Sequence, residues 1–168
     1  MQVSLSATDS EFLRRAIEIS RHALEDEGKT PFGAIIVIDG AVIAEGTSSV
    51  VELMDPTAHA EVMALRHAGQ VLKRHIMTDA VMYASSEPCP MCLVACYWAR
   101  IPRLVYGASS YDVGTYGFED LQLYRELTVE SDLRTLRVEA AAGDLHDQAA
   151  AVLKSWAAQL PEPVVPKL

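Results

Sequence analysis

Phe12, Leu13, Ala16, Ile17, Ser20, Ala23 and Leu24 recur at helical spacing behind Asp9 and Ser10, either of which can cap a helix, and Gly28 marks the end. A first amphipathic helix is predicted. Gly33 to Asp39 and Ala41 to Glu45 are β-branched apolar runs joined by Asp39-Gly40, a dipeptide suited to the positive φ angles of a tight turn, and they predict an antiparallel hairpin. Helical periodicity returns from Thr57 to Leu72 after an irregular stretch, through Val62, Met63, Leu65, Ala68 and Leu72. Ala80 to Ala84 reads as a short buried strand, Pro90 to Arg100 as a helix with proline in its first turn, and Leu104 to Ala108 as another strand. Ser109 to Asp120 is a polar, glycine-containing segment that predicts a loop, and Leu121 to Leu127 a short helix. Thr135 to Ala140 alternates as a last strand would, and Asp144 to Leu160 is an alanine-rich helix. Strands alternating with helices after an opening hairpin predict a layered α/β domain with a mixed sheet, because a hairpin is antiparallel and helical crossovers favour parallel neighbours. The domain is expected over residues 1–160, followed by a proline-rich tail at 161–168.

Length and charge narrow the classes of function. The chain has 168 residues, of which 50% are apolar and 22% charged, a globular composition for one domain. The longest aliphatic run, Ala34 to Ile38, is far shorter than the ~18 apolar residues of a membrane span. Residues 1–12 carry no basic start followed by an apolar stretch, so a cytoplasmic location without a secretory signal is expected. The formal net charge of −9 repels phosphate backbones and argues against a nucleic-acid partner.

Three cysteines, two of them in a CxxC, are too few and too clustered for a disulfide framework, and they point to metal or redox chemistry. His59, Cys89 and Cys92 are an imidazole and two thiols, a donor set that suits zinc. His59 and the CxxC each open a predicted helix, whose N-terminal dipole favours thiolate over thiol. Three protein ligands leave one tetrahedral position for a water, and Glu61, two residues after His59, is the candidate proton shuttle. On an ideal helix residues two apart lie ~200° around the axis, so His59 and Glu61 converge only if the site wraps an irregular first turn. A closed structural site of His59, Cys89, Cys92 and Cys96 is the alternative, since the three cysteines share one helix face; Cys96 alone reads as a small core residue. His22, His67, His75 and His146 read as surface or capping residues.

The segments Asp55-Pro56-Thr57-Ala58-His59-Ala60-Glu61 and Glu87-Pro88-Cys89-Pro90-Met91-Cys92 match the H-x-E…P-C-x-x-C signature of zinc nucleobase deaminases. On these segments the chain resembles the cytidine deaminase superfamily, and within it small bacterial guanine deaminases and tRNA adenosine deaminases, from about Pro31 to Asp120. The resemblance implies a three-layer αβα fold with a mixed five-stranded sheet, zinc as cofactor, a homodimer, and hydrolysis of an amino nucleobase to its oxo form with release of ammonia. Tyr97-Trp98-Ala99-Arg100 and Gly117-Phe118-Glu119-Asp120 resemble the guanine deaminase branch, which implies guanine to xanthine as the reaction and a base-binding carboxylate at Asp120, with Glu119 beside it. Ser48, Ala60 and Phe118 complete the expected substrate contacts; Phe32, Tyr111 and Tyr116 also lie in segments where a base could stack. At Ser48 the chain departs from the asparagine usual in the family, whose longer arm offers both an acceptor and donors. Cytosine, a nucleoside or another amino heterocycle is the alternative substrate, and a non-catalytic zinc-binding subunit the alternative of another class. Retention of Glu61 favours catalysis over the latter.

Overall fold

The computed structural model describes residues 4–167; the first three residues of the expected domain and the last of the tail lie outside them. The chain divides into two compact units, one ending at Thr128 and the other Val129–Leu168.

In the first unit, helix α1 (Ala7–His22) starts earlier than the sequence pattern suggests. Its cap is Ser6, whose hydroxyl accepts from the Asp9 backbone N–H at 3.0 Å, so Asp9 serves as an acid of the first turn and not as the cap. Strands β1 (Gly33–Ile38) and β2 (Ala41–Thr47) form the expected hairpin, with Asp39 and Gly40 at φ 49° and 76°. A short helix α2 (Val50–Leu53) precedes α3 (Ala60–Leu72); β3 (Ala80–Ser86), α4 (Pro90–Trp98) and β4 (Arg103–Ala108) follow as a strand-helix-strand crossover. The sheet has the order β2-β1-β3-β4, antiparallel except for the parallel β3/β4 pair.

Alternation along β1 sorts the core into two layers. Ile35 and Val37 pack with Ala16 of α1, Tyr83 and Val105 on one face. Ala34 and Ile36 pack with Ala60, Ala64 and Ala68 of α3 and with Cys96 of α4 on the other. The result is the three-layer αβα arrangement.

The segment expected as a loop contains helix α5 (Ser110–Thr115), started by a capping box in which Ser109 and Asp112 satisfy each other's backbone N–H. Helix α6 (Asp120–Thr128) ends the unit.

Within Val129–Leu168 the described residues hold a 3-10 turn, Ser131–Leu133, and helix α7 (Asp144–Ala157). Thr135 to Ala140 is not a strand, so the sheet has four strands among the described residues and not five. Its alternation is real, but a strand requires a neighbour for its backbone ladder, and Leu136 and Val138 are exposed. Residues 161–167 carry no regular secondary structure. No helix among the described residues is long and apolar enough to cross a membrane.

Candidate active site

His59 sits at the N-cap of α3 with extended backbone, φ −69° and ψ 158°, and Glu61 is the second helical residue. The break in helical rotation at the cap removes the ~200° separation of a regular helix, and both side chains line one cavity. The approach to the cap is held locally. Asp55 accepts from the backbone N–H and the hydroxyl of Thr57 at 2.8 and 2.6 Å, while Ala58 gives its carbonyl to the Ser49 N–H at 2.9 Å. Cys89 is likewise the N-cap of α4, with Pro90 at the first helical position and Cys92 one turn on.

Two helix starts therefore bring their positive ends to the same place. One donor atom each of His59, Cys89 and Cys92 lies within 4.8 Å of the other two, and His59 Nδ1 is 3.6 Å from Cys89 Sγ. An imidazole nitrogen and two thiol sulfurs at this separation fit one zinc ion. Cys96 is apart from the cluster: its sulfur is buried and donates to Met82 Sδ at 3.5 Å, as a core cysteine does. Hydrogen bonding from Cys92 lowers the Cys89 pKa, and the same contact raises that of Cys92. The Cys89 contact also raises the pKa of His59. Burial raises the pKa of Glu61, which is only 6% exposed although it faces the cavity.

The cavity encloses about 220 Å³. Ser48, Ala60, Phe118 and Asp120, all expected at the site, line it with His59, Glu61 and Cys89. Cys92 is fully buried behind them. Glu119 does not belong to the lining: it is exposed, and its neighbour Asp120 at the start of α6 is the residue that turns inward. Burial raises the pKa of Asp120, with the Cys89 charge adding to the effect. Phe32 meets Phe118 edge to face, with ring centroids 4.8 Å apart, and forms the aromatic part of the wall. Tyr111 and Tyr116 are exposed. His67 is a surface residue of α3, with Nδ1 2.8 Å from the Glu45 carbonyl of β2.

The residues that sequence reasoning missed are mostly supports. Glu87 accepts from the backbone N–H and hydroxyl of Ser110 at 2.8 and 2.7 Å, and Tyr124 donates to the Pro88 carbonyl at 2.7 Å. These bonds fasten the α5–α6 segment, with Phe118 and Asp120, to the CxxC loop. The sequence signal for the first was the Ser109/Asp112 capping box beside Ser110. Thr30 and Ser86 also line the cavity, and neither carries a motif that marks it.

The sequence profile of the cytidine and deoxycytidylate deaminase zinc-binding region matches residues 6–108, which include both ligand segments. The guanine deaminase of Bacillus subtilis (strain 168) is 45% identical over 125 residues, covering 74% of this chain and 80% of that protein. The tRNA-specific adenosine deaminase of Haemophilus influenzae is 37% identical over 132 residues, with 75% and 76% covered. The X-ray structure of the Bacillus subtilis guanine deaminase superposes with a TM-score of 0.85 at 36% identity, over 95% of this chain and 99% of that one. A zinc-compatible cluster at two helix starts, on this fold and within the matched profile, makes the chain a member of the cytidine and deoxycytidylate deaminase zinc-binding family.

Proposed function

We propose that the chain is a zinc-dependent hydrolase that deaminates a free nucleobase, converting guanine to xanthine with release of ammonia. The observation that carries this reading is the clustering of the His59, Cys89 and Cys92 donor atoms within 4.8 Å of one another beside a cavity that buried Glu61 also lines. The likeness to a guanine deaminase over most of the chain supports the choice of base.

His59, Cys89 and Cys92 hold the zinc, which when bound acts as a Lewis acid that makes water reactive near neutral pH. Glu61 moves the protons. Its carboxylate takes one from the attacking water and gives it to the ring nitrogen beside the amino-bearing carbon. It then takes the remaining hydroxyl proton and gives it to the departing amine, so that ammonia leaves and a carbonyl remains. Asp120, an acceptor when ionised, would receive a ring N–H of the base and so orient it in the cavity that His59, Glu61 and Cys89 also line. Ala60, Phe32 and Phe118 supply apolar wall and ring contact.

A small substrate is favoured over tRNA because the protein carries a formal charge of −9. Tyr97 and Trp98 are 68% and 74% exposed at the end of α4, an apolar surface that supports a homodimer. Free thiols at the metal site suit a reducing cytoplasm.

Ammonia release from guanine, adenine, cytosine, guanosine and cytidine, measured with metal content, tests the proposal. Guanine is expected to be preferred at one zinc per chain. Glu61→Gln is expected to retain zinc and lose activity by about 10²–10⁴-fold. Near-normal turnover by that variant, or wild-type preference for another compound, overturns the corresponding part of the reading.

A further inference from the structure

The cavity has a polar wall that neither the metal ligands nor the two carboxylates account for. Thr30 Oγ1 donates to Ser48 Oγ at 2.7 Å, and both residues line the cavity. Ser48 is 4% exposed, so its hydroxyl has little access to bulk solvent. Each hydroxyl carries one proton, and the bond between them uses one of the two. With Thr30 as donor, the proton of Ser48 has no protein acceptor among the described residues; with the roles reversed, it is the proton of Thr30 that is left over. Either way the pair keeps one hydroxyl proton available beside the space it lines.

The backbone holds this pair at a set position. Phe32 donates its N–H to the Thr30 carbonyl at 2.8 Å, and its own carbonyl accepts from the Ser48 N–H at 3.4 Å. Pro31 stiffens the connection between Thr30 and Phe32. A serine alone at position 48 has a short side chain free to rotate, and the Thr30 contact restricts that freedom.

We propose that Thr30 is the positioning partner of Ser48, and that together they select substrates presenting a hydrogen-bond acceptor, the 6-oxo group of an oxopurine, to this wall. This rests on the base deaminase reading above and adds to it a basis for discrimination. The two hydroxyls share one hydrogen bond, so the pair works as a unit.

Thr30→Val keeps the shape and removes the hydroxyl, and Ser48→Ala removes its partner. Both variants and the double variant, loaded with zinc, are compared with wild type for kcat/KM on guanine and on 2-aminopurine, which keeps the reacting amine and lacks the 6-oxo acceptor. Wild type is expected to prefer guanine. Each single variant is expected to lose about tenfold on guanine and much less on 2-aminopurine. The double variant should be no worse than Ser48→Ala alone, because the two hydroxyls act through one donor. A merely structural role for Thr30 lowers both substrates equally, and an unchanged guanine to 2-aminopurine ratio in Thr30→Val overturns the inference. Melting temperature and zinc content separate misfolding from loss of selection. If wild-type enzyme deaminates neither purine, it is the underlying base deaminase reading that fails, a result distinct from an active wild type with an unaltered ratio.

Discussion

The two faces of the sheet are built differently, and only one of them leads to the site. Against α3 the sheet presents mostly small side chains, Ala34, Ala44, Ala80 and Ala84, and the helix answers with Ala60, Ala64 and Ala68. A Cβ at Gly46 would lie 2.1 Å from the Ala60 carbonyl oxygen and 2.4 Å from the Ala64 nitrogen, so helix and strand meet backbone to backbone. The opposite face packs Phe12, Leu13 and Ile19 of α1 on Ile35, Val37, Tyr83 and Val105. Phe12 and Tyr83 rings sit 5.3 Å apart there, and Asp9 joins the Tyr83 hydroxyl at 2.7 Å to the Arg103 guanidinium at 2.7 and 2.9 Å. The close-set face fixes where α3 begins, and the beginning of α3 is where His59 and Glu61 stand. The α1 face secures the sheet from behind. A glycine lets helix approach strand on both sides, Gly46 under α3 and Gly33 under α1. Small side chains nevertheless dominate the α3 face, whereas large and polar groups dominate the α1 face.

The strongest challenge to this contrast is Gly46→Ala. The new methyl meets backbone that cannot rotate away, and a loss of about 3 kcal/mol or more is expected. The zinc content of the fraction that remains folded should fall with it, because α3 must shift. Gly33→Ala is the matched control: its Cβ would lie 2.4 Å from the Ala16 carbonyl oxygen on the α1 face. It too should destabilise by about 1–3 kcal/mol, yet its folded fraction should keep one zinc per chain. Denaturant titration with metal analysis decides; equal zinc loss in both variants would erase the distinction between the faces.

A smaller effect sharpens the role of the α1 face. The Arg103 guanidinium, followed by the Tyr83 hydroxyl and Ser6, holds the Asp9 carboxyl well below the usual carboxylate range. An acid with a depressed folded pKa adds stability above its unfolded value, near 4, and that contribution fades as pH falls toward the folded value. Asp9→Asn should therefore cost about 1 kcal/mol at neutral pH, with the gap from wild type closing below pH ~4 and kcat unaltered. A gap of constant size from pH 7 to pH 3 would show that the charge is not what matters. The smallest expected effect comes from Ile35→Val and Ile36→Val, adjacent and fully buried on opposite faces, at about 0.5–1.5 kcal/mol each. Neither leaves a backbone clash, so both should retain full zinc; zinc loss in Ile36→Val alone would mean that side-chain volume, as well as the Gly46 contact, sets the position of α3.

The amino-acid sequence by itself determined whatever depends on neighbours along the chain. The hairpin follows from Asp39-Gly40 between β-branched runs, the start of α4 from Pro90 behind Cys89, and the character of the ligand set from an imidazole and two thiols at helix starts. The Ser109/Asp112 box was equally local, and the polar, glycine-containing composition around it masked the short α5. Tertiary structure decided what requires a partner distant in sequence. Alternation from Thr135 to Ala140 is the pattern of a strand, but ladder bonds exist only when another strand lies alongside. His59 and Glu61 converge because the chain leaves helical geometry at the cap, held by the Asp55 and Ser49 contacts. Asp120 faces the cavity and Glu119 faces solvent because Glu87 and Tyr124 fasten the α5–α6 segment to the CxxC loop. Thr30 stands against Ser48 across eighteen positions of chain because β1 and β2 fold back on each other as a hairpin, and no pattern within either strand announces that meeting.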